Sequence, residues 1–128
     1  MSKEVFEKGR RIRTEVLGRE RVAKALDQAD SFNRDFQELL TEYCWGACWG
    51  RDGLDRRQRS LLNLGMLAAL NRPHEFELHF RAAIGNGLSR AELQDALIQI
   101  AIYCGVPAGV EAHRIAGKVL AEPGVTLK

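Results

Sequence analysis

The sequence predicts an all-α fold: one compact helical domain over residues 1–128, with about six to seven helices and a core running roughly from 33 to 121. Three observations carry this. Apolar residues recur at spacings of three and four along most of the chain. Two stretches, Asp55 to Gln58 and Ser89 to Glu92, have the spacing of a capping box at a helix start. No segment alternates apolar and polar residues as a half-buried strand would, and no linker or low-complexity tract interrupts the pattern.

The elements follow in order. Val5, Ile12 and Val16 place a first helix over Lys3 to Leu17, stopped by Gly18. A short helix spans Arg21 to Ala29. Asn33 can cap a third, on which Phe36, Leu39, Leu40, Tyr43 and Ala47 form one apolar face. Trp49 to Gly53 reads as a loop. The helix from Asp55 to Leu70 is apolar on most sides (Leu61, Leu62, Leu64, Met66, Leu67), which suggests a central position. Pro73 suits the first turn of the next helix, ending at Asn86-Gly87. Ser89 opens a helix to Cys104, Gly105 stops it, and Pro107 starts a last one that fades at Pro123-Gly124. The segment from Glu122 to Lys128 has no readable role and reads as a mobile tail.

Composition narrows the function. The chain is 45% hydrophobic and 28% charged, with 19 basic and 17 acidic residues for a net charge of +2. Both signs are spread along the sequence, which argues against a nucleic-acid partner. No apolar run approaches a membrane span, and MSKEVFEKGRRIR lacks the apolar stretch of an export signal. With only three cysteines, a reducing cytoplasm is expected.

The chemistry-bearing residues concentrate between Glu42 and His79. His79 lies three after Phe76 and four before Ala83, on the inward stripe of its helix, and Glu75 sits one turn earlier where it could orient the imidazole. The bland alternative is a core or interface histidine bonded to a carbonyl. His74 and His113 read as surface or interface groups, and the three histidines form no zinc-binding pair, so no metal is expected. Cys44 and Cys48 are four apart rather than three, and Cys104 has no near partner; all three read as small buried hydrophobes. Trp45 and Trp49, beside glycines, either wall a pocket or pack at an interface. Arg56, Arg57 and Arg59 crowd a helix N-terminus, where the macrodipole disfavours cations. Arg59, nearest the apolar face, is the better candidate for an anionic ligand. Arg81, two past His79, faces elsewhere and could serve only if a neighbouring subunit or loop folds over it. Glu42 is either a buried acid or a salt-bridge partner.

Three stretches, EKGRRIRTEVLG, FQELLTEYCWGACWGRDGLDRRQRSLLNLGMLAALNRPHEFELHFRAAIGNG and LIQIAIYCGVPAG, cover almost the whole chain and resemble the carboxymuconolactone decarboxylase family. The resemblance implies an alkylhydroperoxidase-D-like fold, usually assembled as a hexamer. It also implies cofactor-free decarboxylation of the dicarboxylate lactone 4-carboxymuconolactone, a step in protocatechuate breakdown by the β-ketoadipate pathway. In that setting His79, Glu75 and Glu42 would be the catalytic groups, and Arg59, Arg81, Trp45 and Cys44 would contact substrate. The wider superfamily includes peroxidases with a CxxC ahead of a histidine; aligned on His79, those cysteines fall on Arg72 and Glu75. That departure favours acid-base chemistry over a thiol peroxidase or reductase. A non-catalytic binder of small lactone acids is the remaining alternative.

Overall fold

A computed structural model describes residues 2–127. Among these residues there are seven α-helices and one π-helical segment, and no strand. They form two compact units, Met1–Leu54 and Asp55–Lys128.

The first unit contains α1 (Lys3–Leu17), α2 (Arg19–Asp27) and α3 (Arg34–Leu40), which runs into a π-helix over Thr41–Cys48. Ser2 caps α1 through the Val5 amide. Gly18, at φ +98°, both ends α1 and begins α2, so α2 starts two residues before the predicted Arg21. One stripe of α1 buries Gly9, Ile12, Arg13 and Val16. At Gly9 this helix meets the π-helix backbone directly: a Cβ there would lie 1.9 Å from the Thr41 carbonyl oxygen. One on Gly46 would lie 2.5 Å from the Val5 carbonyl oxygen.

The helix widens where Thr41 is tied down. Its hydroxyl donates to the Gln37 carbonyl (2.7 Å) and accepts from Arg13 (3.2 Å), whose guanidinium also reaches the Gln37 side chain (3.1 Å). Threonine bonding back to the preceding turn perturbs the regular ladder. The Trp49 amide then bonds to the Cys44 carbonyl five residues back. Thr41, Trp45, Gly46 and Trp49 face inward, the two indoles 4.9 Å apart at 33°. The apolar face expected from Phe36, Leu39 and Tyr43 is exposed instead.

The second unit is α4 (Arg56–Ala69), α5 (Pro73–Gly85), α6 (Arg90–Cys104) and α7 (Val106–Leu120). Both predicted capping boxes form, at Asp55–Gln58 and Ser89–Glu92. Helix α4 ends in a Schellman motif: Asn71 takes the left-handed conformation (φ +56°) and the Arg72 amide bonds to the Leu67 carbonyl. Helix α5 ends the same way with Gly87 at φ +97°, which turns Leu88 into the core.

Leu64, Phe76, Phe80, Leu88, Leu93, Leu97, Ile100, Ile115 and Val119 fill that core. Helix α4 is not buried all round as its sequence suggested. Ser60 and Leu64 are its buried side chains, while Leu61, Leu62 and Met66 are exposed.

Arg57, at the start of α4, donates to Glu92 and to the Gly87 carbonyl. A partner carboxylate on the α5–α6 turn thus offsets its unfavourable place in the helix dipole. The expected mobile tail is also anchored. Arg81 grips the Glu122 carboxylate with two nitrogens (2.9 and 2.7 Å), and Leu127 packs on the core. Lys128 lies outside the described residues.

Candidate active site

In the second unit, α4 and α5 bring His79, Glu75, Asn63 and Arg59 into one neighbourhood. His79 is half-buried on α5, and Glu75, one turn before it, is exposed. The Asn63 amide nitrogen stands 3.5 Å from His79 Nδ1. Arg59 is four residues before Asn63 on α4, so it lies on the same face one turn away, half-buried. Burial pushes the His79 pKa below its ordinary 6.5, with the Glu75 charge opposing. The imidazole is therefore neutral at pH 7, able to give a hydrogen bond at one nitrogen and accept at the other.

Arg81 stands apart from this group. Its guanidinium binds Glu122 and Glu77 (3.2 Å), and Lys118 completes the cluster on Glu77 (2.9 Å). The Arg81 hydrogen bonds hold the Glu122 carboxyl below the usual carboxylate range. These bonds occupy the planar fork that would hold a substrate carboxylate, and they fasten the residues after α7 to α5.

Glu42, Cys44 and Trp45 belong to the π-helix of the first unit. Glu42 is half-buried, Trp45 is buried against Trp49, and Cys44 is exposed. Cys48 and Cys104 are exposed as well, which corrects the expectation of three buried thiols. Although Cys44 is exposed, nearby protein raises its pKa; desolvation is the main cause, Cys48 adds to it and Arg13 opposes. A raised thiol pKa leaves less thiolate for peroxide chemistry.

Sequence reading missed Asn63. It lies between Leu62 and Leu64 in a strongly apolar helix, and its only signal was the four-residue step from Arg59. No group of three His, Cys, Asp or Glu stands ready to hold a metal among the described residues. None of their helices is long and apolar enough to cross a membrane.

Residues 34–118 match the carboxymuconolactone decarboxylase family. Over 120 residues the chain is 42% identical to nitrosuccinic acid decarboxylase of Metarhizium robertsii, covering 94% of this chain and 84% of that protein. It is 37% identical to 4-carboxymuconolactone decarboxylase of Acinetobacter baylyi, with 94% and 90% covered. An uncharacterised 15.0 kDa protein of Paracoccus denitrificans is 31% identical over 65% of this chain and 63% of its own length. The helical architecture and these similarities lead to one assignment: the chain belongs to the carboxymuconolactone decarboxylase family.

Proposed function

We propose that this protein is a carboxy-lyase that converts 4-carboxymuconolactone to the β-ketoadipate enol-lactone and CO2. The observation that carries this reading is the neutral, half-buried His79 on the helix pair that also bears Arg59. The 4-carboxymuconolactone decarboxylase relative, matched over 94% of this chain, names the substrate.

The ring carbon that loses CO2 is conjugated through a C=C bond to the lactone carbonyl. The C–CO2 electron pair moves into the ring, the double bond shifts, and negative charge collects on the lactone oxygen. The ring carbon beside that carbonyl then takes one proton. The substrate is its own electron sink, so the step requires no cofactor.

Neutral His79 aims an N–H at the oxygen as charge builds there and relays the solvent proton. One such donor is typically worth about 10²–10³ in rate. Arg59 grips the acetate arm, whose carboxylate stays, because a salt bridge to the departing carboxylate would hold its electrons in place. Glu75 biases the imidazole by its charge. Glu42, Cys44 and Trp45 are proposed as further contributors to turnover. Arg81 keeps a positioning role through Glu122.

A second reading rests on the 42% identity to the nitrosuccinic acid enzyme. Nitrosuccinate is also a dicarboxylate with one carboxylate on a carbon beside an electron sink, here the nitro group. His79 would then serve a nitronate oxygen instead.

We further place the reaction in cytoplasmic protocatechuate catabolism and propose a homohexamer. Exposed apolar side chains on α6 and α7, among them Ile102 (74% exposed) and Tyr103 (84%), support self-association.

The test is CO2 release and absorbance change with each substrate. 4-Carboxymuconolactone should turn over faster than nitrosuccinate, and the opposite order selects the second reading. His79→Ala should lower kcat by about 10²–10⁴ in a folded protein. Turnover should fall as pH drops below 6.5 through the lowered pKa of His79, since an imidazolium would grip the departing carboxylate. Activity that survives His79→Ala, or that rises in acid, overturns the role given to this residue.

A further inference from the structure

We infer that Asn63 is a positioning residue that fixes His79 in the tautomer with its proton on Nε2. The inference rests on His79 being the working group of the proposed reaction, and it explains how a neutral imidazole presents a donor rather than a lone pair. The Asn63 Nδ2 atom stands 3.5 Å from His79 Nδ1. An amide NH2 only donates, so the ring atom facing it must accept. An accepting Nδ1 carries no proton, and in a neutral ring the proton then resides on Nε2.

Three features of the surroundings support this. Asn63 is half-buried on α4 between Leu62 and Leu64, where a polar side chain needs a partner. Its neighbour one turn back is Arg59, so the residue that sets the imidazole and the residue proposed to hold the substrate carboxylate share one helix face. Glu75, the charged group acting on His79 from its own helix, favours protonation but leaves open which nitrogen carries the proton.

The chain supplies an internal contrast. His113 Nδ1 lies 2.7 Å from the Gly109 carbonyl oxygen one turn earlier on α7. A carbonyl only accepts, so His113 must hold its proton on Nδ1. The same protein thus presents the two histidines with opposite demands at the same ring atom.

The experiment is nitrogen NMR of the full chain with 15N-labelled histidine above pH 7, His79 being assigned by its absence in His79→Gln. His79 should give the pattern of an Nε2-protonated ring and His113 that of an Nδ1-protonated one. In Asn63→Leu the His79 signals should move toward a mixture of tautomers, with kcat lowered about 10–100-fold and KM little changed. In Asn63→Asp a carboxylate would accept from Nδ1–H, so His79 should cross to the pattern of His113 and kcat should fall further.

An Nδ1-protonated His79 in the unsubstituted protein overturns the inference. So does an Asn63→Leu variant whose His79 pattern is unchanged. The spectra need no turnover. If they follow expectation while neither substrate reacts, the tautomer assignment stands and the decarboxylase reading falls. If the lactone reacts while the spectra do not respond to Asn63, the reverse holds.

Discussion

The two units are held together by opposite means. In Met1–Leu54, helix α1 meets the π-helix backbone to backbone, through Gly9 and Gly46, with a buried arginine–threonine hydrogen bond beside the contact. In Asp55–Lys128, four helices meet through large side chains, Phe76 and Phe80 among them, stacked with centroids 6.2 Å apart. A contact between backbones has no side chain that can rearrange, whereas a core of side chains can repack. The first unit is therefore specified by what is missing at two positions, the second by what fills a volume.

That contrast breaks most directly at Gly9. Gly9→Ala would place a methyl 1.9 Å from the Thr41 carbonyl oxygen, and only separation of the two backbones relieves the clash. We expect a loss above about 4 kcal/mol in denaturant unfolding, with the near-ultraviolet signal of the Trp45–Trp49 pair abolished. A mild loss would mean that α1 can shift, and the distinction between the units would weaken.

Phe80→Ala in the second unit should cost about 3–5 kcal/mol by the same measurement, while hydrogen exchange in the α1 amides stays unchanged. Exchange that accelerates equally throughout would mean that the two units unfold as one.

Thr41→Val is the finest of the three probes. It keeps the side-chain shape but removes the hydroxyl that accepts from Arg13, whose Nε is already without a hydrogen-bond partner among the described residues. A loss of about 1–3 kcal/mol is expected, together with a partial return of the segment to α-helical geometry.

Much of the second unit was legible in the sequence because its signals are local. The capping boxes at Asp55 and Ser89 and the stops at Gly87 and Gly105 each depend on a few adjacent residues. The first unit was harder to read. A π-helix turns less per residue than the 3.6-residue period assumes, so Phe36, Leu39 and Tyr43 looked inward while Thr41, Trp45 and Trp49 are the buried face. Glycine at 9 and 46 gave no hint of close approach, since the reason lies in a partner far along the chain.

The candidate site divides in the same way. His79 and Glu75 are a turn apart on one helix, a spacing sequence reveals. Asn63 meets His79 only through the packing of α4 against α5. Arg81 was read as a possible substrate ligand because its partner Glu122 lies 41 residues away.

The π-helix has a further consequence, in terms of length rather than identity. Its Trp49-to-Cys44 bond spans five residues where an α-helix spans four, so the segment carries surplus chain. Removing one residue between 41 and 48 would let the ladder close as an ordinary α-helix, with every backbone bond still made. Each residue of an α-helix advances about 100°, so the side chains after the cut would be turned to a new bearing. The segment is thus tolerant of a deletion as a helix and intolerant of it as a surface: the indoles at 45 and 49 keep their inward direction only while the extra residue stays.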